Sequence, residues 1–121
     1  MSNRGNGIKV CQDLQDIKNA IKTKKSHANG KSKSYIIQEY IYNPFLYSGR
    51  KFDIRHFILV TSNFGRIQGY MYQEGYLRTA SYKYNTKNEN SLVHLTNDAL
   101  QKKCKEYGKY EKGNKISYEE F

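Results

Sequence analysis

The chain has 121 residues, with 21 Lys or Arg against 11 Asp or Glu, for a formal net charge of +10. That length admits one domain, and Ile, Leu, Val and Phe make up only about a fifth of it, just above the level at which disorder is the default; 12 tyrosines supply much of the remaining apolar bulk. No run is long enough to cross a membrane, and two cysteines without metal-ligand spacing, Cys11 and Cys104, fit a reduced, cytoplasmic setting.

The first element is a glycine-containing loop, Asn3-Arg4-Gly5-Asn6-Gly7. Leu14, Ile17, Ala20 and Ile21 then recur at helical spacing, with Asp13 placed to cap the start. Residues 22–34 hold Lys, Ser, Asn and Gly with almost nothing apolar and are expected to form a flexible basic loop. Tyr35 to Ile41 reads as a strand ended by Asn43-Pro44, and Lys51 to Thr61 as the longest strand. Asn63 to Arg66, with Gly65, predicts a hairpin turn into a strand over Ile67 to Tyr72; another strand follows over Leu77 to Ser81. Residues 82–93 read as an irregular loop, and Thr96-Asn97-Asp98 as the capping start of a helix through about Tyr107. Ser117 to Glu120 matches a capping box.

The most informative stretch is Lys51-Phe52-Asp53-Ile54-Arg55. Side chains alternate along a strand, so Lys51, Asp53 and Arg55 share one face while Phe52 and Ile54, with His56, Ile58 and Val60 beyond, take the other. Two cations around one carboxylate on a rigid strand suit a polyphosphate and an incoming carboxylate. A salt-bridge ladder on a wet sheet face is the plainer alternative.

Taken together, these runs resemble the tubulin–tyrosine ligase family, a group of ATP-grasp ligases. The matching stretches are Gly5-Asn-Gly7-Ile8, Gln38-Glu-Tyr40-Ile41-Tyr-Asn-Pro44, Gly49-Arg-Lys51-Phe-Asp53-Ile-Arg55, Glu74-Gly75-Tyr-Leu-Arg78-Thr-Ala-Ser81, His94-Leu-Thr-Asn97 and Tyr107-Gly-Lys-Tyr-Glu-Lys-Gly113-Asn114. The fourth and last look most like tubulin–tyrosine ligase itself. The resemblance implies an α+β, partial ATP-grasp fold: an antiparallel sheet with two or three helices. It implies that residues 1–121 are the central part of such a domain, truncated at both ends and inactive by itself.

The implied activity joins an amino acid, tyrosine by those two runs, to a tubulin C-terminal tail, using ATP and Mg2+ through an acyl phosphate. By residue, the resemblance implies that Arg4, Gly5 and Gly7 lie over the triphosphate, where glycine lets backbone N–H groups approach phosphate. Gln38, Glu39, Tyr40 and Ile41 match the hinge that reads adenine, although the family usually has lysine where Glu39 stands. Lys51 and Asp53 would engage the nucleotide, and Thr96 and Asn97 would lie near it unless they serve only as helix caps. Arg55 and Arg78 would be catalytic, each holding two oxygens of the reacting carboxylate or phosphoryl group. His94 is expected to be structural, and the magnesium ligands are expected outside this chain.

The implied partners are the acidic tubulin tail and a free amino acid, at microtubules, a cilium or a basal body. Two other readings compete. One is a tubulin polyglutamylase of the same family. The other is a non-enzymatic basic module that binds nucleic acid or microtubules; clustering of eight basic and two acidic residues within 1–33, without an RNA-binding signature, argues against nucleic acid.

Overall fold

The structure is a computed structural model that describes residues 5, 7–23 and 34–121. Arg4 and nearly all of the basic loop, residues 24–33, lie outside the described residues. The first helix, α1 (Leu14–Thr23), starts as its sequence predicts: the Asp13 carboxylate accepts the Asp16 N–H at 2.8 Å.

The strands are β1 (Leu46–Tyr47), β2 (Arg50–Arg55), β3 (Ile58–Asn63), β4 (Arg66–Met71), β5 (Tyr76–Lys83) and β6 (Lys115–Ser117). They form an antiparallel four-stranded sheet in the order β1-β2-β5-β6, and a separate β3–β4 hairpin. Two short helices, α2 (Ser91–His94) and α3 (Asp98–Gln101), complete the α+β architecture. This is the class expected from the sequence.

β5 is the spine of the sheet. Leu77 lies opposite Ile54 of β2 and Ile116 of β6, and Leu77, Ala80, Val93, Cys104 and Ile116 are the buried apolar residues among those described. So small a core leans on buried polar groups. The Gln101 side chain accepts the Ser81 N–H (2.9 Å) and donates to the carbonyls of Leu92 (3.0 Å) and Leu95 (2.6 Å), tying α2 and α3 to β5. Asn114 donates to Thr79 O and Ser81 Oγ. Where the β2–β5 register slips, between Arg50 and Phe52, the buried Arg50 guanidinium donates to Ala80 O and to both carboxylate oxygens of Glu111, with Tyr110 stacked 4.5 Å away.

Four expectations are corrected. Residues 35–41 lie outside both sheets, and the strand beside β2 on that side is β1. The strand read from Lys51 to Thr61 breaks at His56-Phe57, so β5 is the longest strand. There the partner changes from β5 to β4: Tyr72 N donates to Phe57 O, and His56 stacks on Tyr118 with Nδ1 2.8 Å from its hydroxyl. Ile58 and Val60 therefore do not join Phe52 on one buried face; both are exposed on the hairpin. The loop expected over 82–93 gives way at Ser91 to α2, capped by Asn90, whose side chain accepts the Leu92 N–H at 3.0 Å. Finally, α3 stops at Gln101 rather than Tyr107, because the chain tightens into three-residue turns, Lys103 N to Leu100 O and Cys104 N to Gln101 O.

Other readings hold. Phe64 (φ 48°) and Gly65 (φ 75°) make the two-residue turn between Asn63 and Arg66. The Ser117 box closes reciprocally, with Ser117 N–H on Glu120 Oε2 (3.0 Å) and Glu120 N–H on Ser117 Oγ (3.1 Å).

The Arg50–Glu111 pair gives a pH prediction. Burial raises the Glu111 carboxyl, but hydrogen bonds from Arg50 and Thr79 and the Arg50 charge outweigh it, so the group is held below its ordinary value of 4.5. Its contribution is then fully present above about pH 4.5 and lost as pH falls through the lowered value. Glu111→Gln should cost about 3 kcal/mol at neutral pH, by leaving Arg50 buried and unpaired. It should also flatten the loss of stability on acidification, as read by urea denaturation across pH.

Candidate functional site: the charged face of the sheet

Alternation along β2 places Lys51, Asp53 and Arg55 on one face. Asp53 is the direct register partner of Arg78 on β5, and Arg78 in turn that of Lys115 on β6. Cross-strand partners share a face, so Asp53, Arg78 and Lys115 form a row, bordered by Arg55 opposite Tyr76. Arg78 Nε donates to Asp53 Oδ1 at 2.9 Å and Nη2 to Oδ2, a two-pronged pair. The hydrogen bond donated to Asp53 is the main reason that the Arg78 guanidinium is held above its usual range, against an opposing effect of burial; the charge of Asp98 adds to it. Asp98 is lowered by hydrogen bonds from Lys102 and Tyr107, and burial with the Asp98 bond pushes the Tyr107 hydroxyl up to about 12.

Lys51 is half-buried, and burial lowers its ammonium. Its Nζ lies 3.2 Å from the Tyr40 hydroxyl and 4.5 Å from the Tyr40 ring centre. Tyr40 is thus brought to the face by its side chain, although Gln38, Glu39 and Ile41 remain exposed on the unpaired segment. Arg55 is also exposed, its guanidinium 5.3 Å from the Phe57 ring.

Gly5 and Asn97 meet. A Cβ on Gly5 (φ 81°) would stand 2.6 Å from Leu100 Cδ1 and 2.8 Å from Asn97 Oδ1, so close packing alone requires glycine there. Gly7 (φ 85°) follows in the same turn, with Ile8 N donating to Gly5 O. Asn97 is the N-cap of α3 by backbone only; its side chain makes no cap hydrogen bond. Thr96, half-buried, precedes it.

Sequence reasoning missed Lys115, Asp98 and Tyr107 as parts of this face. Lys115 is set by the β5–β6 register, which no local pattern announces. The Tyr107–Asp98 bond spans two turns that do not show in a helical periodicity.

A sequence model of the tubulin-tyrosine ligase family matches residues 1–121. The chain belongs to the tubulin–tyrosine ligase family. It is 34% identical over 105 residues to a probable tubulin polyglutamylase, ttll-9, of Caenorhabditis elegans, covering 86% of this chain and 24% of that protein. It is 36% identical over 121 residues to tubulin glycylase 3D of Tetrahymena thermophila (97% and 11%). With tubulin glycylase 3A of Drosophila melanogaster it shares 39% over 101 residues (83% and 10%). The chain therefore spans a quarter or less of the length of these relatives.

For a member of this family, the fit to ATP is chemical. Lys51, Arg55, Arg78 and Lys115 put four cations on one face, and the burial that weakens the Lys51 ammonium would be relieved by a phosphate oxygen. Magnesium fits less well, because Asp53 and Asp98 are engaged by Arg78 and by Lys102 and Tyr107. Among the described residues no three of His, Cys, Asp or Glu converge, and no helix is long and apolar enough to cross a membrane. Since the Asp53–Arg78 pair is part-exposed, Asp53→Asn should lower stability by about 1 kcal/mol or less. Chemical denaturation in about 1 M salt should show that difference shrinking.

Proposed function

We propose that the chain is part of the nucleotide-binding and catalytic face of an ATP-dependent ligase that adds an amino acid to an acidic tubulin tail. The observation that carries this reading is the shared sheet face: Lys51, Asp53, Arg55 and Arg78 stand together in a chain whose entire length matches the family. In the proposed reaction a tail glutamate carboxylate attacks the γ-phosphorus of ATP, giving an acyl phosphate and ADP. The incoming amino group then attacks the acyl carbon and expels inorganic phosphate.

Lys51 would hold phosphate oxygens. Asp53 fixes the orientation of the planar Arg78 guanidinium, so that it would stabilise negative charge as it develops on the transferring phosphoryl group. Arg55, exposed and without a carboxylate partner among the described residues, is placed to receive the tail carboxylate. Gly5, Gly7, Thr96 and Asn97 would border the nucleotide, with Gln38 to Ile41 along the adenine and Arg4 beside the phosphates.

The choice of amino acid shifts from the sequence reading. The runs that pointed to tyrosine are framework: Thr79, Ala80 and Ser81 are buried, and Asn114 bonds to Thr79 O and Ser81 Oγ. Packing accounts for these residues, so they do not carry tyrosine specificity, and the polyglutamylase and glycylase relatives favour glutamate or glycine. The setting that follows is the cytoplasm, at microtubules.

In the full-length protein incubated with tubulin and labelled glutamate, glycine or tyrosine, label should enter tubulin only with ATP present. Arg78→Lys should abolish incorporation while ATP affinity stays within about threefold, because an ammonium keeps the charge but loses the two-pronged geometry. Normal turnover in that variant would remove Arg78 from the mechanism.

A further inference from the structure

His94 is nearly fully buried, 3% exposed, at the end of α2. Its ring stands edge-on to Tyr40 (5.5 Å) and Tyr84 (5.9 Å). Both ring nitrogens are engaged: Nε2 is 2.5 Å from the Asn88 carbonyl oxygen, and Nδ1 is 2.7 Å from the Tyr40 hydroxyl. The same hydroxyl is 3.2 Å from Lys51 Nζ.

With the ring neutral, the chemistry of the donors gives each bond in this chain a direction. A carbonyl only accepts, so Nε2 carries the ring proton. In the neutral ring Nδ1 is then an acceptor, and Tyr40 must donate its hydroxyl proton to it. An ammonium only donates, so Lys51 gives one N–H to the Tyr40 oxygen, whose lone pair is turned towards it by the bond to His94. Burial, and after it the neighbouring Tyr84, push the Tyr40 hydroxyl well above its ordinary range, so it keeps its proton. Lys51 is left with two N–H groups to direct elsewhere.

We propose that His94 is a positioning residue for the nucleotide: as the neutral, Nε2-protonated tautomer it orients the Tyr40 hydroxyl, which anchors one proton of Lys51 and aims the other two at phosphate. The relay joins three stretches that are far apart in the chain: the segment at 38–41, strand β2, and the run from His94 to Asn97. It rests on the nucleotide-binding reading given above and deepens it. A histidine that only braced the loop would need its bond to Asn88 alone. The second bond, to a hydroxyl shared with a half-buried lysine, is what points to nucleotide.

Two measurements on the full-length chain test it. Long-range proton–nitrogen NMR of the imidazole should show His94 protonated at Nε2 and bare at Nδ1; the opposite tautomer would overturn the relay. Titration with Mg-ATP should show Tyr40→Phe, which keeps the ring against Lys51 but removes the hydroxyl, binding about tenfold more weakly. His94→Phe should weaken binding to a similar extent, and the double variant no further than either single one. In a Lys51→Met background Tyr40→Phe should have no additional effect. Unchanged affinity in Tyr40→Phe, or losses that simply multiply with Lys51→Met, would overturn the proposal. Absence of any Mg-ATP binding by the unsubstituted chain would instead overturn the nucleotide-binding reading and with it the role of the relay, while the tautomer still decides the hydrogen-bond chain.

Discussion

The register of β2 against β5 is the constraint on which the molecule depends. With Ile54 opposite Leu77, Asp53 must stand opposite Arg78, and the apolar and charged faces separate on alternate residues. A slip of one residue would bury the charges and expose Leu77. The same strand, β5, pairs with β6, so Leu77 is covered by Ile116 on one face while Lys115 is added to the row on the other. Core and candidate site are two sides of one pairing decision.

Because the buried apolar set is small, polar side chains hold much of the framework. Gln101 and Asn114 bond to β5 backbone that the sheet leaves unpaired near its irregularity, and Arg50 with Glu111 fills the space beside it. Gln101, Asn114 and Arg50 are buried and partnered, as burial of polar groups requires. Gln101 also holds α2 and α3, the helices that carry His94 and Asp98, against β5. Stability and the candidate site are therefore coupled through side chains that touch no proposed ligand.

Much of this was legible in the sequence wherever the signal is local. The alternation of Lys51, Asp53 and Arg55, the turn at Phe64-Gly65, the cap at Asp13 and the box at Ser117–Glu120 each depend on a few neighbouring residues, and each is found in the structure. What escaped depends on distant partners. Tyr35 to Ile41 has the composition of a strand, yet joins neither sheet. The apolar run beyond Arg55 gives no sign that its partner changes at His56, because that is decided by Tyr118 and by the turn before Tyr76. Arg50 reads as an ordinary surface cation until Glu111 is brought to it from 61 residues away. His94 was expected to brace a loop; its link to Lys51 through Tyr40 could not be read from any spacing.

The central claim is that nucleotide phosphates meet the face shared by Lys51, Asp53 and Arg78. The most direct measurement is side-chain and backbone NMR of the full-length protein during titration with ATP. Resonance changes should concentrate on Lys51, Arg78 and Asn97 and leave Arg50 and the hairpin tip at Phe64 unmoved. Changes centred on the hairpin or on Arg50, with the Lys51 and Arg78 signals unaffected, would contradict it.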